Sequence, residues 1–262
     1  WFQADPGNGC TTSGCHAPLP HARRIEVRAF LNMHATFVDC MVCHAEDASS
    51  DETARWLRLP GREPRSAPPA VLQIADIFDK TTSIEPGQER ALHNRLLVLL
   101  GEAVQDSGEN QQLGNWRLRL DTSYIGSRAW RSVIDDIRAG IRLHVHGEYN
   151  AKIALFRGGA LLRSTTPENL DATRAYLAAR TSPADPEGRE LLDKVHKGVR
   201  PAGALCTPCH SANPTLIDFE KLGYPESRTQ SLRGSLTVNR VLSIEKGQPF
   251  HMPRIAEERN AP

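Results

Sequence analysis

The chain has 262 residues, with 32 Lys and Arg against 31 Asp and Glu, a formal charge of +1, 39% hydrophobic and 6% aromatic content. That length can bury a sizeable core, in one large domain or in two to three small lobes. The balanced charge forms no basic stripe of the kind nucleic acid selects, and the longest apolar run, Leu96 to Leu100, is far too short to span a bilayer.

In chain order, Trp1 is preceded by no charged or apolar leader, which reads as a mature form after removal of a signal peptide. The first chemical motif is Cys10-Thr-Thr-Ser-Gly-Cys15-His16, in which Gly14 permits a bend. His21 follows in the proline-bracketed loop His16-Ala-Pro-Leu-Pro-His21. That loop is too stiff to fold His21 back beside His16, but it suits a neighbouring site. Val27, Phe30, Leu31, His34, Phe37 and Val38 then recur at helical intervals. They place His34 on the apolar side of a helix leading into Cys40-Met-Val-Cys43-His44, and a polar ring there needs a partner. Pro60 to Pro69 is a linker by composition.

Well over a hundred residues without cysteine follow. Pro86 opens a predicted helix carrying Leu92, Leu96, Leu99 and Ala103 and ending near Gly108. Trp116 to Leu120 alternates like a short strand, and Trp130, Ile134, Ile137 and Ile141 mark another helix. His93 sits at the edge of an apolar stripe, where core packing explains it. His144 is a reserve ligand candidate, and His146 is expected to face solvent. Thr166-Pro167 and Asp185-Pro186 look like helix entries, the first running to about Arg180 and the second stopping at Gly198. His196 shares the face of Leu192 and Val199, ten residues ahead of Cys206-Thr-Pro-Cys209-His210. The segment Gly247-Gln-Pro-Phe-His251-Met252-Pro253 offers two further ligands side by side.

All six cysteines fall inside the three Cys-His motifs. Cys-x-x-Cys-His is the signature of covalent c-type haem attachment, and Cys10, Cys15 and His16 follow the same plan with two extra residues. Two sulfurs at this spacing reach the two vinyl-derived carbons on a porphyrin edge, and the next histidine lies under the iron. Three disulfides would not explain a histidine after every second cysteine. Zinc would need the awkward use of adjacent cysteine and histidine at three separate sites. A thioredoxin-like pair would need a βαβ context. The expectation is therefore three covalent haems, with Cys10, Cys15, Cys40, Cys43, Cys206 and Cys209 as attachment residues. His16, His44 and His210 are the proximal iron ligands. Two haems plus a disulfide is the runner-up.

Ten histidines less three proximal ones leave seven for three distal positions. His34 and His196 rank first and His21 next, while His251 and Met252 compete for a position near the end of the chain. A thioether ligand would raise the reduction potential relative to a second imidazole. The bland reading of Met252 is a core gap-filler.

These motifs, and the His34-x5-Cys40-x-x-Cys-His44 arrangement, resemble the multihaem c-type cytochromes over about residues 5 to 50 and 190 to 255. The resemblance implies electron transfer outside the cytoplasm, in the periplasm or extracellular space, between redox protein partners. The expected fold is mainly α, irregular around the haems, with a few short strands in the haem-free middle. The expected organisation is a dihaem lobe at 1–59, a linker at 60–69, a haem-free helical region at 70–184 and a monohaem lobe at 185–262. The middle departs from compact multihaem proteins and suits partner docking, self-assembly or membership of a larger complex or filament. Haem propionates would make the loaded protein more acidic than +1. The alternative function is an enzyme reducing or oxidising a small nitrogen or sulfur species at one haem with an open distal position.

Overall fold

The computed structural model describes residues 5, 7–22, 25–46, 52–145, 149–179, 182–203 and 206–248. His146, His251 and Met252, named above, lie outside them. About 53% is helical, with one small antiparallel sheet, so the molecule is mainly α. Among the described residues no helix is long and apolar enough to cross a membrane.

The chain begins with α1 (Gly9–Thr12), α2 (Ile25–Phe37) and α3 (Cys40–His44). Strand β1 (Glu52–Arg58) is followed by β2 (Glu63–Pro64), which lies inside the Pro-rich segment expected to be a linker. Next come α4 (Ala70–Lys80), α5 (Glu89–Asp106), α6 (Gln111–Thr122), α7 (Arg128–Gly140) and a single 3-10 turn at Ile141–His144. β3 (Ala151–Arg157) and β4 (Ala160–Leu161) complete a sheet of order β2-β1-β3-β4. The chain then runs through α8 (Pro167–Ala179), α9 (Pro186–Val195), α10 (Glu226–Arg233) and α11 (Ser235–Glu245).

Helices α4 to α7 form a body whose apolar residues recur at three- and four-residue intervals. Leu96, Leu100 and Ala103 of α5 meet Leu113, Trp116 and Leu120 of α6 and Ile134 and Ile137 of α7 in one buried cluster. Helix α5 starts at Glu89 rather than at Pro86, because Gly87 takes a left-handed φ of 92° just before it. The strand expected at Trp116 to Leu120 is instead part of α6. Leu113, Trp116 and Leu120 fall on one helical face and are buried, whereas Leu118 is 62% exposed. Asn110 also caps α6, its Oδ1 accepting from the backbone of Gln112 and Leu113. The apparent two-residue alternation there was coincidental.

Strand β3 is central in the sheet and buried on both faces, with Glu52 of β1 opposite its Arg157 and Trp56 opposite Ile153. Ala151, Ile153 and Leu155 point to the helical body, while Ala154 and Phe156 pack with Leu57 and Leu59 on the other side, as the two-residue period dictates. The main buried cluster also takes in Val38, Met41, Val42 and Ala45 and the stretch Ile217, Phe219, Leu222 and Tyr224. The first and last thirds of the chain thus share the core of the middle.

A buried ionic network lies where α2 and α3 meet the sheet. Arg62 reaches Asp5 at 2.6 Å and Asp39 at 2.9 Å, and the Lys152 ammonium lies 3.8 Å from Asp5. Lys152 also donates to the Ala35 carbonyl at 2.9 Å, satisfying an acceptor in the last turn of α2 and favouring the negative end of its dipole. Strand β3 thereby anchors the helix that carries His34.

Candidate functional site

Each Cys-His motif closes by a comparable backbone contact. In the second motif, α3 puts Cys40 and Cys43 three residues apart on one face. Asp39 caps that helix through Met41 N, and Met41 and Val42 plug it into the core. In the third motif the His210 N–H donates to the Cys206 carbonyl at 2.9 Å. In the first, the His16 N–H donates to the Cys10 carbonyl at 3.1 Å, and Gly14 at φ 82° takes up the two extra residues. The longer spacer therefore still brings the histidine back over the first cysteine. Buried Asn8 ties two motifs together: its Oδ1 accepts from Cys10 N and its Nδ2 donates to Cys40 Sγ at 3.2 Å. No disulfide joins any two of the six cysteines.

The six histidines assemble in three pairs. His16 and His196 have ring centres 6.2 Å apart with planes at 74°, His44 and His21 lie 6.4 Å apart at 19°, and His210 and His34 lie 5.9 Å apart at 75°. Each pair joins one motif histidine to one of the three highest-ranked distal candidates. Among the described residues no group of three or more His, Cys, Asp or Glu side chains converges as a metal site built from protein alone would require.

The hydrogen bonds show which ring nitrogen is available. Nδ1 faces a carbonyl or amide oxygen in five of the six: His34 with Phe30 O at 2.7 Å, His44 with Arg200 O at 2.9 Å, His196 with Leu192 O at 2.9 Å, His210 with Leu232 O at 3.3 Å, and His21 with Asn32 Oδ1 at 3.1 Å. An oxygen acceptor fixes the proton on Nδ1 and leaves the Nε2 lone pair for a metal. Burial holds His21, His34 and His210 below the usual imidazole pKa, which favours the neutral, coordinating form.

The two buried histidines of the helical body behave differently. The indole N–H of Trp130 donates to His93 Nδ1 at 3.1 Å, so the proton sits on Nε2. His144 engages Tyr149 and Gln112 through its two nitrogens, at 3.0 and 3.2 Å. It lies in the 3-10 turn, and with both nitrogens engaged it has no free lone pair to serve as the reserve ligand considered from sequence.

The sites adjoin one another. The Cys10 and Cys40 thiols influence each other, which lowers the pKa of Cys10 and raises that of Cys40. Burial pushes Cys209 up to about 12 and also raises Cys43 and Cys206. The first site is the most open, with Cys15, His16 and His196 exposed, while the histidines of the other two are half-buried. A cavity of about 340 Å³ lies apart from the pairs, lined by Phe78, Asp79, Arg138, Arg142, Ser227 and Arg228 among others, and holds none of the motif residues.

His196 caps the end of α9 rather than standing on its face, and His21 serves the second motif rather than its own. Asn8, Asn32 and Arg200 were not singled out from sequence. His44 and Arg200 are 156 residues apart, and no local pattern links them. No family model, curated protein or solved structure matches the chain.

Proposed function

We propose that this chain is a three-haem c-type cytochrome that carries electrons between redox protein partners outside the cytoplasm. The observation that carries the reading is the set of three histidine pairs, each uniting a motif histidine with a second one. A metal–imidazole bond of about 2.0 Å on each side, plus roughly 1.1 Å from nitrogen to ring centre, separates the centres of two trans imidazoles by about 6 Å. The measured 5.9, 6.2 and 6.4 Å fit that span. Gly203 adds to the fit: a Cβ there would come within 3.4 Å of both His44 Nε2 and Cys43 Cβ, so its absence keeps space beside the coordinating nitrogen.

In this reading Cys10 and Cys15, Cys40 and Cys43, and Cys206 and Cys209 would hold the porphyrin edges by thioether bonds. His16 with His196, His44 with His21, and His210 with His34 would be the axial ligands. When bound, the haems supply the one-electron couple. The chain's own groups would orient five of the six imidazoles through their Nδ1 hydrogen bonds, raise their basicity as ligands and, at the second and third sites, limit water by partial burial. Haem irregularity of the fold, extracytoplasmic placement and membership of a larger complex or filament all belong to the same proposal.

The pairs also weigh against the enzymatic alternative, which requires a proximal histidine facing an open position. Each of the three motif histidines has a second imidazole with its ring centre 5.9, 6.2 or 6.4 Å away. The decisive experiment combines a pyridine haemochrome assay with intact mass. The reading expects three covalent haems per chain and low-spin spectra for all three irons. Fewer than three, or pigment extractable into acid-acetone, would overturn it.

A further inference from the structure

The three pairs are threaded together by two short segments, and both involve the second site. Residues 196–200 supply His196 to the first site. The same residues pair with the second motif, since Glu46 N donates to Gly198 O, Arg200 N donates to His44 O, and Arg200 O receives the His44 Nδ1 proton. Helix α2 supplies His34 to the third site and, two residues earlier, Asn32 to the second. Asn8 joins the first two motifs, accepting from Cys10 N and donating to Cys40 Sγ.

Of the three paired distal histidines described, His21 alone lies away from a helix and its cap, and the Asn32 side chain holds it. Asn32 Oδ1 accepts from both His21 Nδ1 and His21 N, and Asn32 Nδ2 donates to the His21 carbonyl, each at 3.1 Å. Three hydrogen bonds from one rigid helical residue fix both the backbone and the ring. By contrast, His34 and His196 are held by the carbonyl four residues earlier in their own helices. The second pair also differs in having nearly parallel planes, at 19°, where the other two are crossed at 74° and 75°.

We propose that the His21–His44 pair is the middle of three stations in a line, and that Asn32 is the positioning residue that makes His21 its ligand. This rests on the three-haem reading and adds an order and an identity to it. Nearly parallel axial imidazoles split the iron d orbitals rhombically, whereas crossed ones give strongly anisotropic low-spin signals. The middle iron therefore has its own paramagnetic resonance signature in the intact oxidised protein.

The test uses the haem-loaded full chain. In Asn32→Ala the rhombic signal is expected to disappear, with one iron of three becoming high-spin and binding carbon monoxide while both anisotropic signals persist. Asn32→Asp keeps the acceptor oxygen, so it should restore six-coordination and shift the rhombic haem alone to a lower potential, because a carboxylate draws the Nδ1 proton more strongly. Met33→Leu, next to Asn32 on the same helix and with an exposed side chain, should leave all three signals unchanged. In stepwise reduction, the rhombic haem should shift both others, and those two should shift each other least. The proposal is overturned if Asn32→Ala leaves the rhombic signal intact, if an anisotropic signal is lost in its place, or if the two anisotropic haems interact most strongly. If Asn32→Ala does not assemble, the potential of the rhombic haem in Asn32→Asp decides. A haem count below three refutes the reading beneath, whereas three haems with an unaltered rhombic signal refute only the role of Asn32.

Discussion

The helical body and the histidine-cysteine cluster are held together by different physics. In the body, Leu96, Leu100, Leu113, Leu120, Ile134 and Ile137 are all at most 1% exposed, and the two buried histidines satisfy their nitrogens within the protein. In the cluster, helices of four and five residues, turns and caps carry half-buried thiols, and the imidazoles keep a nitrogen in reserve. A region that buries its own apolar surface orders itself. The cluster joins the core through Val38, Met41, Val42 and Ala45 and relies for the rest on hydrogen bonds and on whatever its free nitrogens bind.

The sharpest way to break this comparison is to withhold the cofactor. In chain produced without haem attachment, amide exchange should stay slow through α4 to α7, while 7–46 and 196–210 exchange with opening free energies near zero. Equal loss of protection in both regions would mean that the body is not autonomous. The next largest effect is expected at the seam between the regions. Arg62→Ala leaves Asp5 and Asp39 buried without their cation, which should cost about 3–5 kcal/mol in denaturant unfolding. Inside the body, Leu100→Ala should cost about 2–5 kcal/mol and leave the haem spectrum of the folded protein unchanged. A spectral change there would show that the two regions are more tightly coupled than their construction suggests.

The smallest effect concerns the link between α4 and α10. Asp79 accepts from Ser227 N at 2.8 Å in the first turn of α10. Partial burial works to raise the Asp79 carboxyl, but the Ser227 hydrogen bonds, with Arg142 and Lys80, outweigh it and hold the pKa below the usual value. Its contribution is thus complete above the ordinary carboxylate pKa and is lost as pH falls through the lower folded value. Asp79→Asn should cost about 0.5–2 kcal/mol near neutral pH and flatten the acid side of the stability profile, read from melting temperature against pH.

Much of the body was legible because its signals are local. The spacing of Leu92, Leu96, Leu99 and Ala103 announced α5, and Thr166 and Asp185 announced α8 and α9. Trp116 to Leu120 misled because a five-residue window satisfies a two-residue period and hides the longer one set by Leu113, Trp116 and Leu120. The sheet was missed in place because β1 and β3 pair across nearly a hundred residues. The cluster was legible only in its membership. His34, His196 and His21 could be ranked from sequence, but not allotted to His210, His16 and His44.

Sequence alone determined the three motifs, since adjacent Cys and His within a few positions are a covalent fact of the chain. Tertiary structure decided the pairing, crossing first motif with ninth helix and third motif with second helix. Those partners are fixed by the sheet, by Lys152 on the end of α2 and by the Arg200 and Asn32 hydrogen bonds, contacts that exist only once distant segments share one core.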